Sequence, residues 1–260
     1  MSAIATAAPA GVRRIDRGRN HWYVGPDGTK LAGVTSILKA GVPAPALIRW
    51  ASNSVAEYAI DRWDELEGLA PSERLKRLKG APWAERDAAA VRGQDVHGLA
   101  ERLGRGERVD VPEPLRGHVE SCVRFLDDWD AQPVLSECTV YSLRWSYAGT
   151  LDLIADLADG QRWLLDFKTG RGVYGETALQ LAAYRYAEHY TNGAEEHVLP
   201  EVDTCGVVHL RSDGYDLLPV EAGPREHRDF LYAAAIARFA DRSRDLIGAP
   251  LDPPIREDYS

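Results

Sequence analysis

Apolar and polar positions along the chain follow two periods. Residues 150–157 and 162–167 are short apolar runs separated by Ala158-Asp159-Gly160, spacing that predicts a β-hairpin. A second predicted hairpin joins 202–211 to 215–220 at Ser212-Asp213-Gly214, and a third sets 21–24 against 30–34 around Gly25-Pro26-Asp27-Gly28. Residues 134–145 alternate as one strand, with Glu137, Thr139, Tyr141 and Leu143 on the same parity. Helical spacing marks 46–63, the alanine-rich and proline-free 83–103, 115–129 behind Pro112 and Pro114, 177–190 and 224–247. A short helix is predicted after Gly33 with Thr35 or Ser36 as its cap. Residues 65–82 read as a polar loop with a short basic helix, and the start, MSAIATAAPAGVRR, reads as a loose tail. Helices before the central hairpin, a mixed sheet through it and a covering helix behind it predict an α/β (α+β) fold.

The central hairpin carries the chemistry. Side chains alternate along a strand, so Asp166 and Lys168 share one face while Trp163, Leu165 and Phe167 share the other. With a three-residue loop centred on Asp159, Asp152 falls opposite Asp166, about 5 Å away at Cβ. Two like charges so placed are relieved by solvent, by a shared proton or by a divalent cation. Lys168, two positions beyond Asp166, suits the cation best, and hard oxygen ligands suit Mg²⁺ or Mn²⁺. Gln180 and Tyr184, four residues apart, stand one above the other on a helix face.

Three short stretches in this order, Gly149-Thr150-Leu151-Asp152, then Leu165-Asp166-Phe167-Lys168-Thr169-Gly170, then Gln180-Leu181-Ala182-Ala183-Tyr184, resemble the GxxD, DxK and QxxxY motifs of RecB-type nucleases in the PD-(D/E)xK superfamily. With an upstream helical histidine the resemblance covers about residues 97–190. It implies a restriction-endonuclease-like core over 83–260, with a hairpin and helical extension over 1–82. It also implies a metal-dependent DNA exonuclease in which His97, Asp152 and Asp166, with the Phe167 carbonyl, hold Mg²⁺ or Mn²⁺. Lys168 would orient or activate the attacking water; Gln180, Tyr184 and Thr169 would contact the DNA. Glu101, one helical turn beyond His97, is a candidate to support that histidine, and Glu137 resembles a glutamate that some members place near the metal. The run VTSIL at 34–38 and Leu47-Ile48-Arg49-Trp50-Ala51 look like the start of phage-type and mitochondrial single-strand exonucleases. There Trp50 would stack a base or pack as helix core.

Composition changes this picture at three points. A net charge of −9 opposes a generic nucleic-acid coat, so phosphate contact requires a local basic rim. Candidates are Arg13, Arg14, Arg17 and Arg19, the cluster Arg74, Lys76, Arg77 and Lys79, and Arg171 beside the metal motif. Cys122, Cys138 and Cys205 form no C-x-x-C pair and are one short of the four that an iron-sulfur cluster takes, so no such cluster is expected. No apolar run approaches the roughly 20 residues of a membrane span, and a cytoplasmic protein is expected. The expected partner is DNA with a free end, together with a recombination protein or further copies of the chain. The alternative is a catalytically silent DNA-end-binding protein with the same fold. A third reading, a metal protein that binds no nucleic acid, follows from the negative charge alone.

Overall fold

The computed structural model describes residues 11–251 apart from 19, 105–108, 171 and 193–194, with backbone alone at 46, 84–95, 97, 100, 101, 103, 104 and 244. The chain opens with strands β1 (Arg13–Arg17), β2 (Asn20–Val24) and β3 (Lys30–Gly33). Helices α1 (Val34–Gly41), α2 (Pro45–Asp61), α3 (Trp63–Glu67), α4 (Pro71–Gly104) and α5 (Glu113–Asp128) follow. Strands β4 (Gln132–Ser136), β5 (Thr139–Ser142), β6 (Tyr147–Thr150), β7 (Leu153–Asp156) and β8 (Arg162–Lys168) lead to α6 (Glu176–Arg185). Strands β9 (His189–Asn192), β10 (Glu195–Val198), β11 (Thr204–Leu210) and β12 (Tyr215–Val220) precede α7 (Pro224–Arg242) and a 3-10 turn, Ser243–Leu246.

The strands build two mixed sheets, ordered β1-β2-β3-β6-β5-β9-β10 and β12-β11-β8-β7-β4. Among the described strands, only β3 with β6 and β8 with β11 pair in parallel. The fold is therefore mixed α+β, with helices flanking the sheets. Period-two burial organises it. Along β8, Leu164 joins a cluster with Val140 and Tyr147 of the other sheet and with α1, α6 and α7. Trp163 and Leu165 point to the other face, against Val119 and Phe125 of α5 and Val96 of α4. The expected hairpins 21–34 and 202–220 are present, and β11 extends the five-stranded sheet alongside β8. Among the described residues no helix is long and apolar enough to cross a membrane.

Five local expectations are corrected. Arg13 and Arg14 belong to strand β1, because β2 offers it a full antiparallel partner. Residues 71–82 are helical: Pro71 stands at the first helical position, where its missing N–H costs nothing. Arg74 anchors that start by donating to the carbonyls of Leu66 and Glu67 at 2.9 and 2.8 Å. Helix α4 runs on through residue 82. The strand expected over 134–145 breaks at Glu137, which has a left-handed φ of 48° and lets the chain leave β4 in one sheet for β5 in the other. The helix expected to reach residue 190 ends at Arg185, since His189–Asn192 completes the open edge of β5. Finally, the residue before α1 is Gly33, with no side-chain cap, and Thr35 lies inside the helix.

Phe230, fully buried on α7 and edge-on to Tyr147 at 5.0 Å, joins the helical layer to the sheets. Phe230→Ala is expected to cost about 3–5 kcal/mol and to lower Tm by roughly 10 °C. Tyr232→Ala, on the exposed side of the same helix, should stay within about 0.5 kcal/mol; thermal and urea unfolding of the two variants check this.

Candidate functional site

The turn sequence Ala158-Asp159-Gly160 sets the register of the central hairpin. Gly160 takes a φ of 79°, and Leu157 N–H donates to the Gln161 carbonyl at 3.0 Å, closing a three-residue loop. The Asp159 carboxylate accepts the Gln161 amide at 2.9 Å and the Trp163 indole N–H at 3.0 Å. The resulting register pairs Leu153 with Leu165. One step further along both strands, Asp152 stands opposite Asp166, as the loop length predicts.

Asp152 lies where the chain crosses between the sheets, after β6 of one and before β7 of the other. Its carbonyl accepts the Glu137 amide at 3.0 Å, and its carboxylate accepts the Phe167 amide at 2.8 Å. Asp166 is only 2% exposed. A carboxylate so far from water needs compensation. The Lys168 ammonium lies 2.7 Å from one of its oxygens, and the Gln180 amide donates to the other at 2.9 Å. Gln180 also reaches the Tyr184 hydroxyl at 3.4 Å and accepts from Lys168 at 3.5 Å, which fixes the orientation of its amide.

These neighbours set the charges. Burial by itself lowers the pKa of Lys168, but Asp166 above all, then Asp152 and Glu176, raise it further, to a net value above the usual lysine range. Lys168 is therefore an ammonium at neutral pH and is paired with the Asp166 carboxylate. Burial, followed by the same two carboxylates, pushes the Tyr184 hydroxyl well above the ordinary tyrosine range, so its proton stays on. Gly149 explains how that ring fits. A Cβ at residue 149 would lie 2.4 Å from Cε1 of Tyr184, closer than any side chain tolerates.

Asp152, Asp166, Phe167, Lys168, Gln180 and Tyr184 all line one cleft of about 190 Å³. The sequence reading thus gathers six of its residues at one place. Glu137 is exposed in the bend between β4 and β5 and does not line the cleft. Thr169 follows directly after β8 and is half-buried outside the lining. Arg171 and the side chains of His97 and Glu101 lie outside the described residues. Trp50 packs edge-on to Trp83 at 6.3 Å, away from the cleft lining. Cys122 is buried in the α5-side cluster, Cys138 and Cys205 in the other.

One part of the cleft wall joins a candidate for the basic rim, Arg14, to residues that carry no sequence signal for the site. Arg14, His21 and Tyr23 of the first hairpin line it, with Thr35 of α1 and Thr150 of β6. Burial, then Arg14, lowers the pKa of His21, leaving a neutral imidazole near pH 7. Within β1, strand parity separates Arg14 from Arg13 and Arg17. A larger, open depression of about 700 Å³ along α5 holds none of these groups.

The donor set suits a hard divalent cation. Among the described residues no three His, Cys, Asp or Glu side chains converge. Asp152 and Asp166 supply two carboxylates to one cleft, the number that Mg²⁺ takes from a protein when phosphate and water complete its shell.

Two outcomes follow from this geometry. Gly149→Ala is expected to displace the Tyr184 ring and destabilise the fold by about 1–3 kcal/mol, and adding Tyr184→Leu should recover part of the loss in urea unfolding. The raised pKa of Lys168 favours the folded state. Its contribution is full below the unfolded lysine value of about 10.4 and is lost as pH rises through the higher folded value. The stability difference between wild type and Lys168→Met should therefore be constant from pH 8 to 9.5 and shrink above about 10.4.

No protein-family model matches the chain, and no curated protein matches it. Among solved structures the chain is similar to the protein of "Crystal structure of SSO0001", with 18% identity, a TM-score of 0.31 and coverage of 84% of this chain and 77% of that one.

Proposed function

We propose that the chain is a metal-dependent nuclease that hydrolyses phosphodiester bonds of DNA from a free end, in the manner of RecB-type members of the PD-(D/E)xK superfamily. The observation that carries this reading is the nearly buried Asp166, gripped by Lys168 and Gln180 and set opposite Asp152 in one cleft. A protein that only binds has no need of two carboxylates and an ammonium brought together at this cost.

Asp152, Asp166 and the Phe167 carbonyl would hold Mg²⁺ or Mn²⁺, joined by His97 as the sequence resemblance implies. When bound, such a cation supplies Lewis-acid polarisation of the phosphoryl group. The residues of the chain do the rest. Lys168, charged at neutral pH, orients the attacking water and offsets negative charge developing on the phosphate. Gln180 holds the Asp166 carboxylate in place, and Tyr184 keeps a proton to donate to a phosphate oxygen. Thr169, directly after β8, would meet the DNA strand beside the scissile bond, and Arg171, close to it in sequence, is a further candidate for that contact. A cleft of about 190 Å³ has the volume of about six waters, so it admits one phosphate group and the sugar atoms beside it. Cleavage of DNA ends suits a cytoplasmic role in recombination or repair, alongside a recombination protein or further copies of the chain.

Digestion of end-labelled linear duplex, single strand and closed circle in Mg²⁺ or Mn²⁺ tests the proposal. Linear DNA should be degraded and the circle spared. Asp166→Asn and Lys168→Met should each reduce kcat by about 10²–10³-fold with little change in KM. Wild-type rates in Asp166→Ala would falsify the role of Asp166. Tight binding of ends in EDTA without cleavage in Mn²⁺ would identify an end-binding protein instead.

A further inference from the structure

We infer that Arg14, with the hydroxyl pair Tyr23–Thr150, is the phosphate-binding wall of the cleft, holding a DNA-strand phosphate opposite Asp152 and Asp166. The inference rests on the nuclease reading and adds to it a residue that none of the three motifs contains.

Position comes first. Arg14 and Tyr23 are cross-strand partners in the β1–β2 register, so their side chains share a face. Both end at the same atom: Arg14 Nη1 donates to Thr150 Oγ1 at 3.2 Å, and the Tyr23 hydroxyl lies 3.0 Å from it. Thr150 is two residues before Asp152, and all four residues line the cleft. The N-terminal hairpin is thereby tied to the segment that carries the first carboxylate.

Donor capacity comes next. A guanidinium has five N–H groups; in Arg14, Nε donates to Asp16 and Nη1 to Thr150, which leaves donors for a phosphate oxygen. The Asp16 partner is 60% exposed, and an ion pair with so much water around it holds Arg14 only weakly. Tyr23 and Thr150 have two hydroxyl protons between them and share one bond, so one proton is left to donate whichever way that bond points.

The charge of the cleft then requires a second cation. Lys168 is committed to Asp166 at 2.7 Å, leaving Arg14 as the other lysine or arginine of the lining among the described residues. A planar fork of donors matches a phosphate better than a lysine would. This placement also resolves how a chain with net charge −9 meets a polyanion, since the positive charge need only be local.

The test is binding of a fluorescein-labelled single-stranded oligonucleotide to the full-length protein in EDTA across a salt series, together with KM and kcat in Mn²⁺. Arg14→Gln, which retains an amide donor for Thr150, should raise KM roughly tenfold at nearly constant kcat. It should also make the slope of log K against log[salt] shallower by about 0.7, the value of one single-strand phosphate contact. Lys30→Gln removes one exposed charge from the neighbouring strand β3 and should leave both unchanged, while Arg14→Lys should restore the slope. A purely structural Arg14 would lower Tm without moving the slope; an unchanged slope and KM in Arg14→Gln, with wild type binding and cutting, overturns this inference alone. If wild type neither binds nor cuts DNA, the nuclease reading itself fails. Oligonucleotides with a 5′-phosphate and a 5′-hydroxyl separate the sources: loss confined to the first places the terminal phosphate at Arg14, and equal loss on both places an internal diester there.

Discussion

The constraint on which the rest of the molecule depends is the burial of the Asp166 carboxylate. Taking a carboxylate out of water costs several kcal/mol even after relaxation, and the fold offsets this by bringing two elements to it. β8 supplies Lys168 two residues further along the same face, and α6 supplies Gln180, whose amide is in turn held by the Tyr184 hydroxyl. Helix α6 must therefore sit close to the sheet at this point. Gly149 permits that approach, because any larger residue would collide with the Tyr184 ring. The glycine, aspartate, glutamine and tyrosine of three separate motifs are in this sense parts of one packing solution around a single charge.

A second constraint is the passage of the chain from one sheet to the other. β6 ends at Thr150 in the seven-stranded sheet and β7 begins at Leu153 in the five-stranded one. The two residues between belong to neither strand, and Asp152 directs its carboxylate to the Phe167 amide. The other crossing, at Glu137 and Cys138 between β4 and β5, runs beside it, tied by hydrogen bonds from Glu137 to Asp152 and from Leu151 to Cys138. Sheets that diverge in this way leave a gap, and the N-terminal hairpin with the first turn of α1 forms its far side. The parallel pairing of β3 with β6 makes that hairpin part of the sheet that carries Gly149 and Thr150.

Charge is distributed on the same plan. The chain as a whole is acidic, yet the cleft sets Arg14 and Lys168 against Asp152 and Asp166. Net charge governs solubility and long-range steering; contacts within a few ångströms are governed by the side chains present there. Burial and nearby charge move two groups from their ordinary values, His21 down with Arg14 adding to burial and Tyr184 up with the carboxylates adding to burial. Composition alone contains no trace of either.

Local rules determined much of this protein from its sequence. The turn Ala158-Asp159-Gly160 set the hairpin register and with it the opposition of Asp152 and Asp166, because loop length and period-two alternation are properties of the backbone over a dozen residues. The four-residue spacing of Gln180 and Tyr184 placed both on one helix face for the same reason. Tertiary structure alone decided the rest. The residues around Glu137 were read as one strand, and only competition between two sheets broke it there; the 177–190 helix yielded its last residues to the unpaired edge of β5. Arg14 belonged to a stretch that reads as a tail, and it enters the cleft through pairing with β2 and contact with Thr150, 136 positions away. A long-range contact is stabilised by groups that the local sequence does not contain, so neither its partner nor its geometry is written in the stretch that makes it.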